Sequence, residues 1–156
     1  MTPQKRVQRA LEELGLAAPV VEFEASTRTA AEAAAAVGCE LGQIVKSLFF
    51  VAEGRPTLAL VAGDRQADTA RIAELLGVSR KRLKMGTPEE VLELTGYAVG
   101  GVAPVGSLTP CDIVVDDSLK RFQTVWAAAG AGNAVFAAEP HTLVEKAGGQ
   151  WAAITR

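Results

Sequence analysis

The sequence predicts an α+β fold, a mixed twisted β-sheet with helices packed on it, in a single domain over residues 1–156. Two observations carry this. Apolar runs at residues 44–51 and 57–62, rich in β-branched and aromatic side chains, are separated by Glu53-Gly54-Arg55-Pro56. That is a hairpin-length connection between two strands that read as central in a sheet. Helix signals lie between the other strand-like runs, but without a strict strand–helix–strand repeat, which points away from a doubly wound parallel sheet. With 156 residues, 49% hydrophobic and 22% charged, the chain has the size and balance to bury one real core.

The elements follow in order. Val7, Ala10, Leu11 and Leu14 recur at helical spacing across residues 3–14, and Gly15 stops that helix. Residues 20–23 are a short strand. Thr29-Ala30-Ala31-Glu32 is a capping box that opens an alanine-rich helix ended by Gly38. The strands at 44–51 and 57–62 come next, and Gly63-Asp64-Arg65 closes the second. Asp68 caps a helix expected to bury Ile72, Leu75 and Leu76 and to end at Gly77. Thr87-Pro88-Glu89-Glu90 is a second capping box with Pro in the first helical position, and Gly96 ends its helix. Strands are expected at 112–116, 124–128, 134–136 and 151–154, with a short helix over 140–146.

Composition narrows the function. A net charge of −2 supplies no broad basic field, which argues against a DNA partner but leaves room for contact with one end of an RNA. Cys39 and Cys111 belong to no metal-ligand or disulfide pattern, so neither a metal nor another cofactor is expected. The polar N-terminus (Gln4, Lys5, Arg6, Arg9) shows no signal peptide. The apolar run 48–61 is interrupted by Glu53, Gly54, Arg55 and Pro56, so no membrane span or membrane partner is expected. A cytoplasmic location follows as an expectation.

Three features could carry chemistry. Alternation along the first central strand puts Ile44, Lys46, Leu48 and Phe50 on one face. Lys46 is the one cation there: either its stem packs while the ammonium reaches water, or it meets an anionic ligand. The loop 100–106 holds three glycines and one proline, Gly100-Gly101-Val102-Ala103-Pro104-Val105-Gly106. It is either a structural turn or a pre-shaped backbone with free amides for a ligand. Arg80, Lys81, Arg82 and Lys84 form the one dense basic cluster, either a solvated surface or a phosphate contact. The single histidine, His141, stands at a helix start, so no Ser/His/Asp or Cys/His set can be assembled. An enzyme built from these parts would act through backbone amides, a lysine and a positioned water on an already activated substrate.

Four segments carry a resemblance. They are residues 26–34 (Ser-Thr-Arg-Thr-Ala-Ala-Glu-Ala-Ala), residues 37–48 with Ile44-Val45-Lys46-Ser47-Leu48, residues 95–106 with Gly100-Gly101-Val102-Ala103-Pro104-Val105-Gly106, and residues 125–130 (Val-Trp-Ala-Ala-Ala-Gly). Together they resemble the YbaK family of aminoacyl-tRNA deacylases, which are related to the editing domain of bacterial prolyl-tRNA synthetase. The resemblance runs from about residue 20 to the C-terminus.

The resemblance implies a free-standing trans-editing domain that hydrolyses the ester of mischarged tRNA, with the aminoacyl-tRNA acceptor end as partner and a prolyl-tRNA synthetase as a further one. Lys46 matches the family lysine that meets the phosphate or ribose of the terminal adenosine. Gly100 and Pro104, with Gly101 between them, match the loop whose backbone holds the aminoacyl end. Ser47, Val105, Gly106, Asp116, Ser118, Gly130 and Asn133 are the substrate-side candidates, and Arg80, Lys81, Arg82 and Lys84 the tRNA contacts. Where some relatives carry a size-limiting histidine, this chain has Asn133. The wording of the first and last segments is similar to the branch that clears Ser- or Thr-charged tRNA, with Ala- or Cys-charged tRNA also in view. Two alternatives remain at this point: a non-catalytic module holding a nucleotide or aminoacyl end, and a synthetase-associated interaction module.

Overall fold

The computed structural model describes residues 1–156. It consists of α1 (Pro3–Glu13), β1 (Val21–Glu22), α2 (Ala30–Val37), β2 (Ile44–Ala52), β3 (Arg55–Ala62), α3 (Thr69–Leu76), β4 (Leu83–Met85), α4 (Pro88–Thr95), β5 (Asp112–Asp116), β6 (Val125–Ala128), β7 (Ala134–Ala138), α5 (Pro140–Ala147) and β8 (Gln150–Ala152). The strands form one eight-stranded sheet in the order β1-β7-β6-β2-β3-β5-β8, with β4 added to β2. The sheet is mixed: β2–β3 and β6–β7 are antiparallel, whereas β2–β6, β3–β5 and β5–β8 are parallel. The α+β expectation, and the central placing of the two long strands, are borne out.

The helix ends follow from the residues read as caps. Thr29 with Glu32, and Thr87 with Glu90, form both halves of a capping box, and Gly38, Gly77, Gly96 and Gly148 cap helix C-termini in the left-handed region. Alternation along β2 and β3 divides the interior in two. Val45, Phe49, Leu58, Leu60 and Ala62 enter a large core with Val7 and Leu11 of α1, Val91 of α4 and Leu143 of α5. Phe50, Ala52, Ala59 and Val61 enter a smaller one with Ile72 and Ala73 of α3. No helix is long and apolar enough to cross a membrane.

The structure corrects three details. Leu75, expected on the buried side of α3, is 36% exposed. The inward face of α3 is centred on Ile72 and Ala73, and Leu75 stands about 200° around the helix from Ala73. Residues 83–85, with Leu83 and Lys84 read only as the end of the basic run 80–84, are the strand β4; three residues are too few to show a period. The last strand covers Gln150–Ala152 rather than 151–154; Ile154 is buried but lies beyond it.

One edge of β2 is only partly paired. It meets β6 at Ile44 and Val45, and β4 at residues 50–52. Between them the sheet forks, and residues 46–48 have no strand partner on that side.

Candidate active site

A cleft of about 340 Å³ lies beside the β6 arm of the fork. It is lined by Ile44, Val45, Lys46, Ser47 and Leu48 of β2 with Trp126, Ala127 and Ala128 of β6, by Thr27–Ala30 with Ala33, and by Val99, Gly100 and Val102. The volume lies at the small end of the range for small-ligand sites.

Lys46 projects from β2, and its Nζ donates to the main-chain carbonyl of Arg65 at 2.6 Å. One donor is thus engaged, and an ammonium has two more. Arg28 borders the same cleft. Its guanidinium makes no ion pair and no hydrogen bond within the chain, whereas Thr27 beside it is anchored by its amide on the Gly132 carbonyl at 2.8 Å. No Asp or Glu lines the cleft, so two cations face a space without a counter-charge. Glu32, in the first turn of α2, is turned back onto the Thr29 amide and hydroxyl at 3.3 and 3.0 Å. An anionic ligand would therefore be favoured on Coulombic grounds.

Two hydroxyls of the lining, Thr27 Oγ1 and Ser47 Oγ, are buried with no hydrogen-bond partner in the protein. A buried hydroxyl without a partner costs about 1–3 kcal/mol, which a ligand donor or acceptor would recover. The amides of Gly100 and Val102 likewise form no hydrogen bond within the chain. Gly100 adopts φ of +92°, a conformation open to glycine at little cost.

The structure brings only part of the loop 100–106 to the cleft. Gly101 lies behind it: its amide donates to the Ala98 carbonyl and its own carbonyl accepts from Gly130, both at 2.9 Å. A Cβ there would sit 2.8 Å from the Ala131 backbone. Pro104, Val105 and Gly106 line a different hollow, near Leu14 and Cys111. The Val105 carbonyl accepts from the buried Tyr97 hydroxyl at 2.8 Å.

The remaining candidates also have framework contacts. Asp116 is fully buried at the end of β5, where its carboxylate accepts from the Ala62 amide, the Ser118 amide and hydroxyl, and the Thr155 hydroxyl. Asn133 donates from Nδ2 to the Phe23 carbonyl at 2.9 Å, tying β1 to the loop before β7. Gly130, at φ of +95°, lets the backbone of Pro3 approach where a side chain would clash. Arg80 donates to Thr69 Oγ1, and Arg82 lies 3.8 Å from Glu53. Lys81 and Lys84 have no such partner. Lys84 pairs with Val51, so at about 3.3 Å per residue the cluster is some 17 Å along β2 from Lys46. Burial pushes the Cys39 and Cys111 thiols up, the opposite of what a nucleophile needs. No group of three or more His, Cys, Asp or Glu is arranged to hold a metal ion.

With this geometry in view, the kinship of the chain is clear. Residues 24–146 match the aminoacyl-tRNA editing domain. The chain belongs to that family. YwhH, an uncharacterized protein of Bacillus subtilis (strain 168), is 40% identical over 127 residues, 81% of this chain and 79% of that protein. A proline–tRNA ligase of Nitratidesulfovibrio vulgaris (strain Hildenborough) is 39% identical over 92 residues, 59% of this chain but 16% of the ligase. This editing domain therefore spans a small fraction of the synthetase. A crystal structure of a proposed trans-editing enzyme for prolyl-tRNA synthetase superposes with a TM-score of 0.93 at 47% identity, covering 100% of this chain and 98% of that one.

Sequence reasoning about single residues gave no role to Thr27, Arg28 or Trp126, all of which line the cleft. The signal that could have found two of them was position. Thr27 and Arg28 directly precede the capping box at Thr29, so they stand at a helix N-terminus, where anions are favoured.

Proposed function

We propose that the chain is a trans-editing deacylase that hydrolyses the ester joining a small amino acid to the 3′ end of a mischarged tRNA. The observation that carries this is a cationic cleft in an editing-domain chain, lined by Lys46 and Arg28, free of carboxylates, and walled by the unpaired amides of Gly100 and Val102. In this reading Lys46 holds the terminal nucleotide, and the two amides receive the charge that develops on the ester carbonyl oxygen as water attacks. An aminoacyl ester is already activated, so oriented donors and a positioned water suffice without a side-chain nucleophile.

The buried hydroxyls of Thr27 and Ser47 support a finer reading. They stand ready for the α-ammonium or for the hydroxyl of a Ser or Thr side chain, and a site built to hydrogen-bond a substrate hydroxyl discriminates well against analogues that lack it. A prolyl-tRNA synthetase is proposed as the enzyme whose errors are cleared, and the cytoplasm as the compartment.

The cleft lining contains no His, Cys, Asp or Glu, and this favours a second reading, a module that binds the aminoacyl end without hydrolysing it. Deacylation assays against tRNAs charged with Ser, Thr, Ala, Cys and Pro separate the two. Multiple turnover on at least one small, non-cognate aminoacyl-tRNA is expected. Tight binding with no release above the uncatalysed rate on any of them would establish the second reading instead.

A further inference from the structure

Arg28 is the one cleft residue whose charged end has no work inside the protein. Its side chain is laid across two glycines. A Cβ at Gly100 would meet Arg28 Cγ at 3.0 Å and its Cβ at 3.2 Å, and a Cβ at Gly132 would run into its Cγ and Cδ at 2.6 and 3.0 Å. The side chain, from Cβ to Nε, is therefore seated closely against two glycines, while the guanidinium makes no ion pair or hydrogen bond within the chain. An exposed arginine is ordinarily free to sample many rotamers, and both its stem contacts here restrict that freedom. The Gly132 carbonyl accepting from Thr27 further holds the backbone from which it springs.

A planar, permanently charged fork at the rim of a cleft without carboxylates matches a phosphodiester, which it can engage through two parallel hydrogen bonds. We infer that Arg28 clamps an RNA phosphate next to the terminal nucleoside, while Lys46 acts from β2. This builds on the deacylase reading of the same cleft, and it assigns the glycines at positions 100 and 132 the task of making room for the clamp.

The test compares Arg28→Ala and Arg28→Lys with the parent on two esters of the same amino acid, the aminoacyl-tRNA and 3′-O-aminoacyl-adenosine, which carries no phosphate. The side chain makes no hydrogen bond within the chain, so unfolding temperatures should stay close to the parent's. For Arg28→Ala, kcat/KM on the tRNA should fall at least tenfold, mainly through KM. On the adenosine ester the loss should be at least fivefold smaller. The salt dependence should flatten by about 0.7 for a single-stranded phosphate contact. Arg28→Lys should recover part of the loss. Equal losses on both esters, or none on the tRNA, would overturn the assignment.

A binding arm keeps this distinct from the deacylase reading. If the parent hydrolyses no ester, affinity for a deacylated CCA-ended minihelix still decides. At least tenfold weaker binding by Arg28→Ala supports the clamp; unchanged binding, or no binding by the parent, removes it.

Discussion

Lys46 reaches across the end of β3 to the main-chain carbonyl of Arg65, 2.6 Å from its ammonium. The acceptor is backbone, so the lysine is oriented by the fold rather than by a neighbouring side chain. A long, flexible cation held in this way has less rotamer entropy left to lose on binding.

Lys46→Ala should lower deacylation at least tenfold, about 1.4 kcal/mol of transition-state stabilisation, with the fold intact. Arg65→Ala should change turnover less than twofold, because it leaves the carbonyl in place. Single-turnover rates of the two variants check this; a large loss in Arg65→Ala would show that the side chain contributes in its own right.

Gly100 and Gly101 should respond differently to substitution. At Gly100 a side chain meets both the positive φ and the Arg28 stem, so Gly100→Val should lose rate, and if its amide stabilises the oxyanion the loss should be about 2.7–4 kcal/mol. At Gly101 a methyl group meets the backbone of Ala131, so Gly101→Ala should lower the unfolding temperature more than the rate measured on the folded fraction. Thermal melts beside kinetics distinguish them.

Neither a metal nor His141 is expected to take part. His141 packs at a tilt against Trp151, with ring centroids 5.4 Å apart, and lines none of the cleft. Activity should survive EDTA and should change less than twofold in His141→Ala. Loss of turnover on chelation, restored by zinc or magnesium, would overturn this mechanism.

Lys81 and Lys84 are the free members of the basic cluster, and they are the pair to neutralise. If they touch acceptor-stem phosphates, Lys81→Gln with Lys84→Gln should raise KM with little change in kcat. The salt slope should drop by about 1 for each lysine neutralised. A salt series with the parent's slope would place the stem elsewhere.

Arg121 holds Asp64 through two hydrogen bonds of 3.0 and 2.8 Å. Chiefly through those bonds, it lowers the Asp64 pKa from its ordinary value. A carboxylate with a lowered folded-state pKa stabilises the fold above its unfolded pKa, and that contribution is lost as pH falls through the lowered value. The pair is about one-third exposed, so after solvent screening it is worth no more than about 1 kcal/mol. Asp64→Asn should therefore match the parent's stability in strong acid and fall slightly below it near neutrality, as chemical denaturation at several pH values would show.

The two central strands, the capping boxes and the glycine stops were legible because each is a local signal with a local cause. β4 and the inward face of α3 were not, since a three-residue strand and an eight-residue helix depend on their neighbours for pairing and orientation. The candidate site was legible where chemistry and position coincide, as at Lys46 and Gly100, both of which line the cleft. Pro104 is only four residues from Gly100, yet the turn between them carries it into another hollow. Arg28 was hidden for the opposite reason. Its significance lies in contacts with Gly100 and Gly132, residues brought beside it by the fold.

The length of β2 left unpaired beside the cleft is set by a helix start. β4 runs antiparallel to β2 from Leu83 opposite Ala52 to Met85 opposite Phe50, and Gly86 still donates to the Phe49 carbonyl at 3.0 Å. The next step would bring residue 87 opposite Leu48, but Thr87 is the N-cap of α4 and Pro88 follows with no amide to give. The chain turns away there, and the ladder stops short of Ser47. Replacing Thr87 and Pro88 with strand-forming residues should let β4 zip onward along β2 and pair the backbone edge at Ser47 and Leu48, which now lies open beside the cleft.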